Sequence, residues 1–190
     1  ADAAALARQT IAAFDGVDYV VAPSGSCAGM LKSHYPGLLA GDPEWHGRAL
    51  AFAERVHELT AFLVDVRGVT EVPGRLGARV TYHDSCAGLR ELGIQRQPRA
   101  LLAKVAGLEL VEMADSQVCC GFGGTFAIKY PEISNAMASK KVADVEASRP
   151  ELLLAGDLGC LMNLAGKLSR EGSAIDVRHV AEVLAGEMSA

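Results

Sequence analysis

Cys119-Cys120-Gly121-Phe122-Gly123-Gly124 is the stretch in which this chain concentrates reactive side chains. Two adjacent thiols run straight into a turn rich in glycine. Cys86 precedes the pair and Cys160 follows it, both at long range, and Cys27 lies near the start. Thiolates ligate soft metals, attack disulfides and oxidise in pairs. The set therefore reads as a metal or iron–sulfur site, as a disulfide set, or as buried core cysteines, since free Cys is among the most buried residue types. The last reading leaves the vicinal pair and its glycines unexplained.

Zinc wants four donors at tetrahedral corners. Successive residues of an extended chain point to opposite sides, so adjacent cysteines fit awkwardly on one ion. A cluster offers several irons, and neighbouring thiolates can reach different ones. Iron–sulfur ligation is thus the leading reading, with structural zinc as the alternative. Gly121, Gly123 and Gly124 let the backbone approach closely and aim N–H groups at sulfur. As a phosphate loop, GFGG lacks both the Lys-Ser/Thr and the G-x-G-x-x-G spacing that such loops use.

The surrounding pattern alternates strands and helices. Strands are predicted over 19–22, 78–82, 108–113, 151–155 and 175–177. Helices are predicted over 2–14, from the Asp42-Pro43 pair to Val66 with a break near Thr60, over 98–105 and 131–148, and from about His179. That alternation predicts an α/β fold, with a mainly parallel sheet flanked by helices. In such sheets functional loops gather at the carboxyl ends of the strands. Cys27, Cys86 and Cys160 each follow a strand directly, and Cys119-Cys120 follow the strand 108–113. Cys86, Cys119, Cys120 and Cys160 are therefore expected to converge at one sheet edge, with Cys27 apart.

Other polar residues carry weaker signals. Asp84 or Ser85 suits the cap of the helix that Cys86 opens. His83 and Asp84 read mainly as loop hydrogen-bonding residues, with a role beside the site as the sharper option. Asp157 and Asn163 flank Cys160 and suit orientation of its loop. Lys129 and Tyr130 are candidates for meeting a substrate or partner. His34, His46, His57 and His179 lack metal-ligand spacing and read as surface or cap residues. Trp45 and the phenylalanines fit a core.

Val20-Val21-Ala22-x4-Cys27 matches Leu153-Leu154-Ala155-x4-Cys160. The match predicts a pseudo-twofold repeat of strand–loop–Cys–helix units. The Gly-rich segment 68–77 is the linker candidate. Residues 1–72 then form the remainder of a first cysteine-rich repeat, and residues 73–190 a second, complete one. By the same offset the first vicinal pair would fall before residue 1, so a missing N-terminal half-repeat is expected.

Composition narrows the function classes. A net charge of −5 without a Lys/Arg cluster argues against nucleic acid as a partner. No apolar run approaches the roughly 20 residues of a membrane-spanning helix. The Ala-rich start is interrupted by Asp2, Arg8 and Gln9 and reads as an amphipathic helix, not a signal peptide. Five cysteines, an odd number at low density, fit reduced thiols and a cytoplasmic location.

Cys86…Cys119-Cys120-Gly121…Cys160 resembles the cysteine-rich CCG domain family. That family includes a component of heterodisulfide reductase, the glycolate oxidase iron–sulfur subunit and the lactate utilization protein A group. The fuller stretch CCGFGGTFAIKYPEIS, with PSGSC at 23–27 and GCLMN at 159–163, is most similar to the lactate utilization group, and the likeness covers nearly the whole chain. The resemblance implies a 4Fe–4S type cluster on Cys86, Cys119, Cys120 and Cys160, with Cys27 the last ligand of the first repeat. The family pattern often ends Cys-x-x-Cys; here Asn163 stands at that place, and Met30 in the first repeat. The implied activity is that of an iron–sulfur redox subunit, transferring electrons in a cytosolic complex that oxidises L-lactate to pyruvate beside other iron–sulfur subunits. No flavin or nicotinamide motif is present, so hydride chemistry would fall to a partner. The alternatives are a thiol or heterodisulfide reductase-type catalytic subunit and a zinc-stabilised assembly module.

Overall fold

The structure, a computed structural model, describes residues 2–187. Helix α1 (Asp2–Ala13) turns Ala7 and Ile11 inward. After β1 (Val20–Ala22), Ser24 caps α2 (Gly25–Gly29), which passes through a π turn at Met30–His34 into α3 (Tyr35–Leu38). Asp42 caps α4 (Pro43–Arg55) by accepting from the Trp45 N–H. Strand β2 (Val56–Glu58) pairs parallel to β1, with Val20 opposite Val56. Glu58 caps α5 (Leu59–Ala61), and a π turn at Phe62–Val66 follows. Ala7, Ile11, Val20, Leu39, Phe52 and Val56 close this core.

The helix expected from residue 43 to 66 is thus broken by β2. Ala49, Phe52, Ala53 and Val56 keep helical spacing, so nothing local announces the change. Pairing with β1 decides it, and such tertiary context routinely overrides propensity.

Between residues 67 and 78 the chain makes only an isolated bridge, Arg75 to Ala106. Then come β3 (Arg79–His83), α6 (Cys86–Leu92), α7 (Arg96–Leu102), β4 (Glu109–Leu110), α8 (Thr125–Lys129), α9 (Pro131–Ala147), β5 (Leu152–Ala155), α10 (Leu158–Arg170), β6 (Asp176–His179) and α11 (Val180–Ala185). Four of these strands form a parallel sheet in the order β4-β3-β5-β6. The fold is α/β, with parallel sheets flanked by helices.

Strand side chains alternate between faces. Val80, Tyr82, Leu152 and Leu154 pack against Leu101 and Leu102 of α7 and Val180 and Val183 of α11. Leu153 faces the other way, onto Val142 and Val145 of α9 and Leu164 and Leu168 of α10. Each such buried Val or Leu side chain contributes about 1.5–3 kcal/mol. Thr81 lies opposite Leu153 and His83 opposite Ala155 in the register. By alternation Thr81 and His83 share the α9–α10 face.

The strand expected over 108–113 is confined to Glu109–Leu110. Beyond Val111 the chain leaves the sheet and turns toward α9. Ala114 and Asp115 donate to the two carboxylate oxygens of Asp144 on α9, at 3.1 and 3.0 Å. No helix among the described residues is long and apolar enough to cross a membrane.

Candidate metal centre

Three devices set the positions of the thiols. The first is the cap of α6. Ser85 accepts from the Gly88 N–H at 3.3 Å, which makes Cys86 the first helical residue. The second is the cap of α10. Asp157 accepts from the Gly159 N–H at 3.1 Å, and Cys160 follows within the first turn, where the helix end favours thiolate over thiol. Asp157 reaches further, for its other oxygen accepts from the Ser24 hydroxyl and the Ser26 N–H, both at 3.0 Å. Helices α2 and α6 approach closely there, since a Cβ on Gly25 would stand 2.8 Å from the Gly88 backbone.

The third device anchors the loop between β4 and the vicinal pair. Lys141, fully buried on α9, donates to the Asp115 carbonyl beside the Asp144 contacts. Burial holds its pKa below the ordinary lysine value. The Asp84 N–H donates to the Ser116 carbonyl at 3.1 Å, which ties the same loop to the end of β3. At the pair itself Gly121 takes φ 86°, and a Cβ there would meet the Ser134 carbonyl of α9 at 2.6 Å. Only glycine satisfies both the left-handed backbone and that approach. The Gly121 N–H points back to Cys119 Sγ at 3.4 Å, and Asn163 Nδ2 donates to the Cys120 carbonyl at 2.9 Å.

Cys86, Cys119, Cys120 and Cys160 come together around one cleft of about 220 Å³. Phe122, Gly123 and Gly124 line it from the turn, and Ser26 and Asp157 from the neighbouring loops. Cys120 and Cys160 are buried, whereas Cys86 and Cys119 are partly open to solvent. Cys27 is exposed and is not among the residues lining the cleft. All five are free thiols. Lys129 and Tyr130 lie outside the cleft, on a separate shallow depression.

The thiols differ in the direction in which their neighbours shift them. Thiol–thiol contact with Cys120, and then with Cys86, drives the Cys119 pKa far down. Contact with Cys120 lowers Cys160 to about 6 against the effect of burial, with His83 helping. Contact with Cys119 pushes Cys86 up, and contacts with Cys119 and Cys160 push Cys120 up. The contacts thus pull Cys119 and Cys160 toward thiolate and hold Cys86 and Cys120 toward thiol.

His83 is the residue that the sequence undervalued. It is wholly buried, and neither ring nitrogen has a hydrogen-bond partner. One ring nitrogen and the sulfurs of Cys120 and Cys160 all lie within 4.8 Å of one another. Its neighbour Asp84 does serve as a hydrogen-bonding residue. It takes both terminal nitrogens of Arg99, at 2.8 and 3.0 Å, and Arg99 also holds Glu112 at 2.6 and 2.9 Å. The period-2 alternation of β3 was the available signal, because it sends His83 to the same face as the cysteines. The remaining histidines take other roles. His34 pairs with Glu91, His46 meets the Pro36 carbonyl, and His57 lies among Tyr19 and Phe62. His179 caps α11 and donates to the Pro23 carbonyl.

Four sulfurs with an unpartnered imidazole beside them form a soft donor set. The residues present fit a thiophilic metal or an iron–sulfur centre, which Cys86, Cys119, Cys120 and Cys160 would hold.

A family model described as a cysteine-rich domain, CCG, matches residues 80–165, the segment that carries all four of these cysteines. Lactate utilization protein A of Oceanobacillus iheyensis is 48% identical over 177 residues, covering 93% of this chain and 72% of its own length. Lactate utilization protein A 2 of Bacillus cereus is 46% identical over 184 residues, covering 97% of this chain and 76% of its own. Lactate utilization protein A 1 of Bacillus anthracis is 45% identical over the same span and shares. With a CCG cysteine-rich segment at its centre and this identity along nearly its whole length, the chain belongs to the lactate utilization protein A family.

Proposed function

We propose that the chain is an iron–sulfur redox subunit of a cytoplasmic multi-subunit complex that oxidises L-lactate to pyruvate, and that it works beside other iron–sulfur subunits. The observation that carries this reading is the convergence of Cys86, Cys119, Cys120 and Cys160 on one cleft. The names of the relatives supply the lactate context. Oxidising lactate to pyruvate releases two electrons and two protons, and a cluster bound in the cleft would supply a one-electron carrier for them.

The chain's own residues act around that carrier. The four thiols hold it. The Gly121 N–H, aimed at Cys119 Sγ, withdraws charge from that sulfur and favours the reduced state. Phe122 covers the wall next to Gly159 and limits water at the buried pair. Cys86 and Cys119 form the side open to solvent, where an electron partner can approach. Asn163 and Lys141 fix the backbone of the vicinal pair and of the loop before it.

The test is iron, sulfide and zinc analysis of anaerobically prepared protein, together with its visible spectrum. Iron and sulfide with a charge-transfer band are expected. Cys120→Ser should lose the iron and keep its far-UV circular dichroism, since a domain of this size does not rely on the site for its core. Unchanged iron in that variant sinks the reading. Zinc without sulfide would mark an assembly module. Turnover of a disulfide substrate would mark a reductase-type subunit.

A further inference from the structure

An imidazole buried with both nitrogens unpartnered is costly, at about 1–3 kcal/mol for each unsatisfied polar group. His83 is in that state at the end of β3. The nearby carboxylates do not relieve it. The Asp84 carboxylate is turned to Arg99, and the Asp157 oxygens are taken by Gly159, Ser24 and Ser26. Instead the ring faces sulfur, with a nitrogen within 4.8 Å of the Cys120 and Cys160 Sγ atoms. Donors that bind one ion at about 2.0–2.3 Å stand roughly 3.5–4.5 Å apart. The trio is therefore close to the spacing of atoms that share a metal corner, and a metal there would satisfy the nitrogen.

We propose that His83 is a nitrogen ligand of the centre, so that the cleft offers a mixed set of four sulfurs and one imidazole. The inference rests on the metal-centre reading above. It also bears on Asn163, which occupies the place of a further cysteine but is engaged with the Cys120 carbonyl and is not free to ligate. The fifth donor then comes from the strand side of the cleft, not from α10. A neutral imidazole brings no negative charge, whereas a thiolate brings one. A centre with His83 bound is easier to reduce than the same centre with sulfur alone, as histidine ligation raises the potential of other iron–sulfur centres.

The experiment uses the full chain with 15N-labelled histidine, reconstituted anaerobically with ferrous iron and sulfide, reduced, and read by pulsed electron paramagnetic resonance. A 15N coupling of the size of a directly bonded nitrogen is expected in the wild type, with the loss of that coupling in His83→Cys. That variant replaces one donor by another, so it should retain iron while its reduction potential moves to more negative values. His83→Gln, checked for folding by circular dichroism, should lose both the coupling and part of the iron. A merely structural histidine would change stability in these variants but would produce no nitrogen coupling in the wild type. Iron bound with no 15N coupling overturns the role of His83 and leaves the metal centre standing. Wild-type protein that takes up no iron overturns the centre and this inference together.

Discussion

Asn163 Nδ2 and the carbonyl of Cys120 are joined by a 2.9 Å hydrogen bond, so helix α10 holds the backbone of the vicinal pair as well as supplying Cys160. Asn163 is one turn beyond Cys160 and donates where a thiol at the same position could give only a weak hydrogen bond. Asn163→Ala should lower stability by about 0.5–1.5 kcal/mol, the net worth of one such bond. It should also speed the loss of metal to a chelator. Urea titration and the rate of bleaching with a chelator measure the two effects separately. Metal release at the wild-type rate would show that this bond does not position the pair.

Gly121→Ala should act more severely. The new methyl group would meet the Ser134 carbonyl, and the backbone would remain at positive φ. Destabilisation above about 1 kcal/mol is expected. The turn must move away from α9 and take Cys119 and Cys120 with it. Thermal unfolding and metal content should therefore fall together in this variant.

Asp84 and Arg99 make a pair of which the carboxylate is wholly buried. Removing the cation leaves an uncompensated buried charge, which costs about 3–5 kcal/mol. Arg99→Ala is expected to fall in that range by chemical denaturation. Adding Asp84→Asn to it should recover part of the loss, because the remaining side chain is then neutral. No recovery in the double variant would mean that the packing of the arginine stem, not its charge, is what was lost.

Glu58 gives a pH signature. It is buried at the end of β2, and burial raises its pKa above the ordinary carboxylate value despite bonds from the Thr60 hydroxyl and the Thr60 and Ala61 N–H groups. A raised folded-state pKa means that the folded protein holds this proton more tightly than the unfolded chain does. Its stabilising contribution is full below the unfolded pKa and is lost as pH rises through the folded value. Glu58→Gln cannot ionise. Urea titrations from pH 4 upward should show the variant gaining on the wild type as pH rises from the usual Glu range. A stability difference that is flat with pH refutes this.

The fold class was legible because β1 and β5 are short apolar runs bounded by turn residues, a local signal. Strand β2 was not legible, since Val56-His57-Glu58 continues a helical spacing and becomes a strand only by pairing with β1. The short extent of β4 was not legible either, as Asp144, far along the chain, holds the following residues Ala114 and Asp115 against α9. The cysteines of the cleft could be read from their types and from the strand-end rule. His83 could not be weighed in that way. Its significance lies in having no partner, and that is a property of the packed interior, not of the letters around it.

The hold of Asp157 on Ser24 and Ser26 bears on how the molecule comes together in time. Those residues are more than a hundred positions apart, and the cleft is built from four segments between Ser26 and Cys160. Contacts of such long sequence separation form late, because closing large loops is entropically unfavourable until the sheet exists. The unfolded chain therefore has no preformed pocket for metal beyond the vicinal pair itself. Maturation of the centre would then be a post-folding event, its rate set by delivery of metal to a finished cleft and not by the speed of chain collapse.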